Sequence, residues 1–227
     1  SLGTTSLFSS VGQLKSIGGQ SAGTNRSLNG KIYSTRITKG IARYTENFNI
    51  DLTNPYFPKK SKELVYNFFG DNSILAMYLF NNSSIDFTGL YPGTATNVTY
   101  VDSPWGLSAK FNNLGTGNNI SLSSKIINNT DKYSISCWVK MISAGFGGIY
   151  CQNTMGWNQY GVEFIIQGTS AGYNTVIFSH VRSDSISDNR SVQYPYYVDG
   201  KFHHFVATRN GTSIKLYRNG ILVASNT

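Results

Sequence analysis

Any chemistry in this chain has to come from a small set of side chains. Only three of its eleven acidic residues are glutamates, Glu46, Glu63 and Glu163. Retaining glycoside hydrolysis needs two carboxylates about 5–5.5 Å apart across the scissile bond. None of the three glutamates has a second acid two or four residues away, the spacing that puts side chains on one face of a strand. Glu163, beside Phe164 and Ile166, reads as a solvated strand residue. A Ser-His-Asp hydrolase would have to be assembled from scattered residues. His203 and His204 are adjacent, so on a strand they point to opposite faces and grip one metal ion poorly. His180 is solitary. The expectation is a protein that is not an enzyme.

The two cysteines, Cys137 and Cys151, form no CxxC pair and lie near no histidine at metal spacing. Each sits in an apolar, strand-like stretch, as a buried free thiol does. A hairpin about Ala144 would bring them face to face, and an oxidising compartment would then allow a disulfide.

These residues sit in a chain of 227, of which 40% are hydrophobic, 14% aromatic and 13% charged. That composition suits a folded core and excludes disorder. No apolar run reaches the eighteen residues that would insert in a membrane. Neither an initiator Met nor a signal-peptide pattern is present, so the chain reads as starting inside a longer polypeptide. The net charge is +8, but in sequence the charges are scattered. Lys59, Lys60 and Lys62 are the only tight cluster, and no nucleic-acid-binding motif accompanies them. No nucleic-acid partner is expected.

The elements that position these side chains are strands. Ile135, Cys137, Val139 and Met141 alternate with Ser134, Ser136, Trp138 and Lys140, the period of a half-buried strand. Residues 202–209 run into Asn210-Gly211, 214–218 into Asn219-Gly220, and 221–224 follow. Those dipeptides predict a three-stranded meander with type I′ turns. Strands are also predicted over 31–38, 161–167 and 175–180. Helical periodicity is weak, and Gly40–Thr45 is the best candidate for a single turn. Many short strands joined by Gly and Asn turns predict an all-β, antiparallel double-sheet sandwich. The stretch Asn54-Pro-Tyr-Phe-Pro-Lys-Lys60 reads as a linker.

Several stretches resemble the laminin-G-like (concanavalin-A-like) jelly-roll family. They are Ser73–Asn82, Gly106–Asn112, Tyr133–Lys140, and Asp199–Arg209 continued by Ile214–Ala224. Residues 14–19 and 28–44 resemble the closing strands of such a domain, and the latter phrase is similar to versions in bacteriophage tail and fibre proteins. The organisation is therefore closing strands in 1–54, a linker in 55–71, and the main body of a laminin-G-like jelly roll in 72–227. Two arrangements remain. The chain is a window on a tandem array with two incomplete domains, or 1–54 closes the sandwich of 72–227. An open sandwich edge exposes unpaired backbone, which favours completion within the chain or by a neighbour.

The resemblance implies calcium at a sandwich rim, with Asp86 and Asn82 as ligands. Relatives often add an acid in the closing strand, where this chain has Tyr33-Ser34. It also implies a structural histidine pair, one packed inward and one outward. For sugar binding it implies aromatic platforms, since sugar C–H faces stack on rings and hydroxyls need polar partners. Trp138, Trp157, Tyr160, Tyr173 and Tyr196 are the candidates. The functional expectation is a virion module in a phage tail fibre or surface appendage, meeting host-surface polysaccharide and other virion proteins or copies of itself. The alternatives are a purely structural capsid-decoration module and a secreted, extracellular adhesion domain, which would carry an oxidised Cys137–Cys151 pair.

Overall fold

The computed structural model describes residues 13–19, 27–50, 73–112, 117–127, 132–154, 161–168, 174–181, 190–196 and 198–227. The proposed linker lies outside them. Among the described residues there is no helix, and two antiparallel sheets pack face to face as a jelly-roll sandwich.

The first sheet contains β1 (Gln13–Ile17), β4 (Gly93–Thr96), β7 (Asn119–Leu122), β9 (Gly147–Thr154), β10 (Gly161–Gly168), β11 (Asn174–Val181) and β12 (Arg190–Tyr196). Its order is β12-β11-β10-β9-β1-β7-β4. The second contains β2 (Gly30–Lys39), β3 (Ile74–Tyr78), β5 (Thr99–Ser103), β6 (Gly106–Phe111), β8 (Lys132–Met141), β13 (His203–Asn210), β14 (Ser213–Arg218) and β15 (Ile221–Asn226). Its order is β15-β14-β13-β8-β2-β6-β5, with β3 paired to the other end of β2. The strands of residues 13–39 thus lie inside both sheets, β1 between β9 and β7, and β2 between β8 and β6.

Alternation decides what each strand buries. Tyr133, Ile135, Cys137, Val139 and Met141 of β8 enter the core, where Val162, Phe164 and Phe178 meet them from the first sheet. Tyr133 joins the layers directly. Its ring meets Phe178 edge-on at 6.2 Å, and its hydroxyl bonds His180 Nδ1 at 2.7 Å.

The meander β13-β14-β15 forms as its turn residues predict, with one difference. Asn219 and Gly220 both have positive φ, the type I′ signature. At the first turn Asn210 instead pairs with Ser213, so the central residues are Gly211-Thr212, and only Gly211 has positive φ. Gly at the first central position makes this turn type II′.

Two local expectations fail. Residues 41–50 contain no helical turn; they form an irregular strap across the outer face of the second sheet. Phe48 N–H donates to the Gly220 carbonyl at 2.8 Å, Leu222 N–H to Asn47 Oδ1 at 2.7 Å, and Lys215 Nζ to the Thr45 carbonyl at 2.6 Å. Nor do β8 and β9 form a hairpin about Ala144. They belong to different sheets, and Cys137 and Cys151 are separate buried thiols. Cys137 faces the core, while Cys151 joins Ile165 and Ile177 in a satellite cluster.

Candidate functional site

A concavity opens at a break in the ladder of β2. One edge of β2 carries β6 along Gly30–Ile32 and β3 along Thr35–Thr38. Between these partners the pairing with β8 shifts register from Ile32 to Ser34, so Tyr33 is a bulge residue. Bulges re-aim side chains, and Tyr33 stands where β6 and β3 part. A cleft of about 550 Å³ opens there, within the range of small-ligand sites.

Three segments line it: Tyr33, the loop after β3 through Phe80, Asn81, Ser83 and Phe87, and the β5–β6 turn with Trp105. Tyr33 and Trp105 are half-buried, so each has surface left for a ligand. Their rings lie 5.2 Å apart, and Tyr33 Oη donates to the Trp105 carbonyl at 3.2 Å. Trp105 is also held by Trp138 at 4.8 Å and Phe202 at 5.4 Å. Burial raises the pKa of the Tyr33 hydroxyl, so it stays protonated. Asn81 and Ser83 supply amide and hydroxyl groups at the wall. Apolar rings with a few polar groups suit binding of a polar, ring-shaped ligand. Among the described residues that line it there is no carboxylate.

Asp86 belongs to the same loop but not to the cleft surface. It is 1% exposed. One carboxylate oxygen accepts the N–H groups of Met77 at 2.8 Å and Thr88 at 3.1 Å. The other accepts those of Leu90 at 3.1 Å and Tyr91 at 3.0 Å, together with the Thr88 hydroxyl. Five donors converge on one carboxylate, and a calcium ion wants oxygen ligands instead. Asn82 is exposed in the left-handed region at φ 58°. This pair does not fit the expected cation. Asp86 ties the loop to β3 and so shapes the cleft wall. Among the described residues no cluster of metal-ligating side chains occurs.

A family model described as the Concanavalin A-like lectin/glucanases superfamily matches residues 114–227, half of the chain. The chain belongs to that superfamily. No curated protein and no solved structure matches it. That description covers lectins and glucanases alike, and the matched stretch holds Trp138 and both adjacent histidines. Tyr33, the loop after β3 and Trp105 precede that stretch.

The aromatic candidates divide. Trp138 is 2% exposed, between Trp105 on one side and His204 at 5.1 Å on the other, and so buttresses the cleft from below. Tyr196 has no exposed surface, its ring packed edge-on against His203 and Phe205. Neither ring offers a face to a sugar. Trp157, Tyr160 and Tyr173 lie outside the described residues. Trp105 was missed from sequence; its signal is an aromatic in a Pro-Trp-Gly turn, where a ring is presented rather than buried. Gly168-Thr-Ser-Ala-Gly172 spells the G-x-S-x-G pattern of a hydrolase nucleophile, which requires a strand-to-helix turn. Residues 169–173 lie outside the described residues, and the strands on either side of them, β10 and β11, pair antiparallel.

The two histidines do face opposite ways, but both are buried. His203 Nε2 reaches both Asp199 oxygens, at 2.9 and 3.0 Å, and Asn219 Nδ2 lies 3.1 Å from its Nδ1. Burial and the Arg218 charge lower the His203 pKa against the pull of Asp199. Burial alone would raise Asp199, but the Lys201 N–H, His203 and Arg218 bring it below its ordinary value. His204 lies under the strap, its Nε2 2.7 Å from Ser136 Oγ and its ring edge-on to Phe48. Burial and the neighbouring Arg36 charge push its pKa down to about 3. The outward-facing histidine is inside because residues 41–50 cover it.

Proposed function

We propose that this chain is a non-enzymatic carbohydrate-binding adhesion module that takes a glycan in the Tyr33–Trp105 cleft. Its setting is an exposed appendage of a virus particle, a phage tail fibre or its equivalent, contacting host-surface polysaccharide. The observation that carries the binding role is the pair of half-buried rings, held 5.2 Å apart at the mouth of a cleft with no acid in its lining. Sugar C–H faces pack on such rings, and Asn81 and Ser83 are placed to bond hydroxyls. Membership of a superfamily of lectins and glucanases supports recognition of carbohydrate. The likeness of residues 28–44 to tail and fibre proteins supports the setting, with neighbouring virion proteins or copies of the chain as structural partners.

A glycan array probed with the protein and with Trp105→Ala tests the binding role. The expected result is selective retention by the wild type and loss in the variant. Retention by neither, or equal retention by both, overturns it. Gold-antibody labelling of phage particles tests the setting. Label at tail or fibre tips is expected, and absence of label from intact particles contradicts it.

A further inference from the structure

The basic residues that look scattered in sequence are gathered by the sheet. Lys31 of β2 is paired in register with Lys140 of β8 on one side and Lys110 of β6 on the other. Directly paired residues share a face, so the three ammonium groups form one row across neighbouring strands. All three residues are half-buried. Like charges directly opposite destabilise a sheet, so the row works against the fold it sits in.

Among the described residues only a backbone carbonyl answers it. Lys31 Nζ donates at 3.2 Å to a carbonyl, that of Asp102. The Asp102 side chain alternates to the face of Tyr100, which packs on the core, opposite Thr99 and Lys110. No carboxylate is paired with Lys31, Lys110 or Lys140 among the described residues. Trp138 is two residues from Lys140 on β8 and so lies one pleat away on the same face, and Trp105, packed on Trp138 at 4.8 Å, carries that face on to Tyr33 at 5.2 Å. The lysine row therefore runs beside the aromatic row of Trp138, Trp105 and Tyr33.

We infer that the glycan this module takes is an acidic polysaccharide, whose carboxylate or sulfate groups lie along Lys140, Lys31 and Lys110 while its rings reach Tyr33 and Trp105. Neighbouring strands are about 4.8 Å apart, roughly the advance of one pyranose in an extended chain, so each lysine meets successive sugars. The inference rests on the cleft being a sugar site and adds the charge of its ligand.

The test measures binding of the wild type, of Trp105→Ala and of the triple variant Lys31→Gln, Lys110→Gln, Lys140→Gln. The probes are polygalacturonate, dextran sulfate, neutral dextran, the neutral hits of a glycan array, and duplex DNA. Polygalacturonate against dextran sulfate shows whether carboxylate or sulfate is the preferred anion. The wild type is expected to hold at least one acidic polymer in a salt-sensitive way, with the triple variant on the order of tenfold weaker. The variant is also expected to melt no lower than the wild type, since repulsion is removed. Equal binding of acidic polymers by wild type and triple variant overturns the inference. So does Trp105-dependent binding of neutral glycans alone, which leaves the cleft reading standing. Binding of no glycan overturns both. Duplex DNA held as tightly as the acidic polymers, with no dependence on Trp105, assigns the row to a nucleic-acid partner instead.

Discussion

Trp105 rests on Trp138 with ring centroids 4.8 Å apart, one ring half-exposed in a turn and the other sealed in the sheet face beneath it. The pair separates the surface that meets a ligand from the residue that positions it, and the two substitutions should differ accordingly. Trp138→Ala removes a buried ring and should cost about 3–5 kcal/mol of stability. Trp105→Ala should cost about half as much, yet abolish glycan retention by protein that is still folded. Urea denaturation and array binding on the same samples check this. Binding that survives Trp105→Ala in folded protein contradicts it.

Asp86 stabilises the loop through hydrogen bonds that calcium would have to displace. Asp86→Asn trades an acceptor for an amide donor amid five donors and should cost about 3 kcal/mol. Excess calcium or a chelator should leave the wild-type melting temperature unchanged. Differential scanning calorimetry measures both. A clear rise with calcium would return Asp86 to the role of ligand.

The strap makes stability depend on pH through His204. Burial, with the Arg36 charge, pushes its pKa down to about 3 in the folded protein, from an ordinary histidine value of about 6.5 in the unfolded chain. Between those values the unfolded chain binds a proton that the folded chain does not, so stability falls as pH is lowered through that window. One such group contributes up to about 1.4 kcal/mol per pH unit. His203, also lowered, adds in the same direction. Asp199 matters only below the ordinary carboxylate range, because its stabilisation is lost as pH falls through its lowered value. Urea midpoints between pH 7 and 4.5 should therefore drop more steeply for the wild type than for His204→Asn. Gly220→Ala reports on the strap itself. A Cβ there would lie 1.9 Å from the Phe48 carbonyl oxygen, at φ +82°. That variant should lose more than about 1 kcal/mol and shift His204 back towards pH 6.5 in an NMR titration. An unmoved His204 would mean the strap is not what buries it.

Deleting residues 1–50 removes β1 and β2, each of which has a paired strand on both sides. Neither sheet can close over the gap, so the shortened chain should show no cooperative unfolding and no near-ultraviolet circular dichroism. A cooperative transition in residues 51–227 alone would contradict the topology.

What was legible in the sequence was what local periodicity controls. The alternation along β8 put Trp138 on the face opposite Ile135 and Val139, and the Asn-Gly dipeptides located the terminal meander. Relationships that depend on distant pairing were not legible. Nothing near His204 shows that residues 41–50 cross it, so an outward histidine could not be read as buried. Lys31, Lys110 and Lys140 come together only through the register of β2 with β6 and β8. The stretch between Cys137 and Cys151 has the length of a hairpin but crosses from one sheet to the other, and no local pattern separates those outcomes. Trp105 was missed because it occupies a turn, where strand alternation says nothing about the direction of a side chain.

The most direct measurement is NMR of the protein labelled at its three tryptophan indoles, titrated with an oligosaccharide selected on the array and assigned with single Trp→Phe variants. The cleft account predicts that the Trp105 N–H resonance moves in proportion to bound ligand and that the Trp138 resonance follows weakly through ring contact. A Trp157 resonance that moves while Trp105 stays fixed would place the sugar elsewhere and contradict the account.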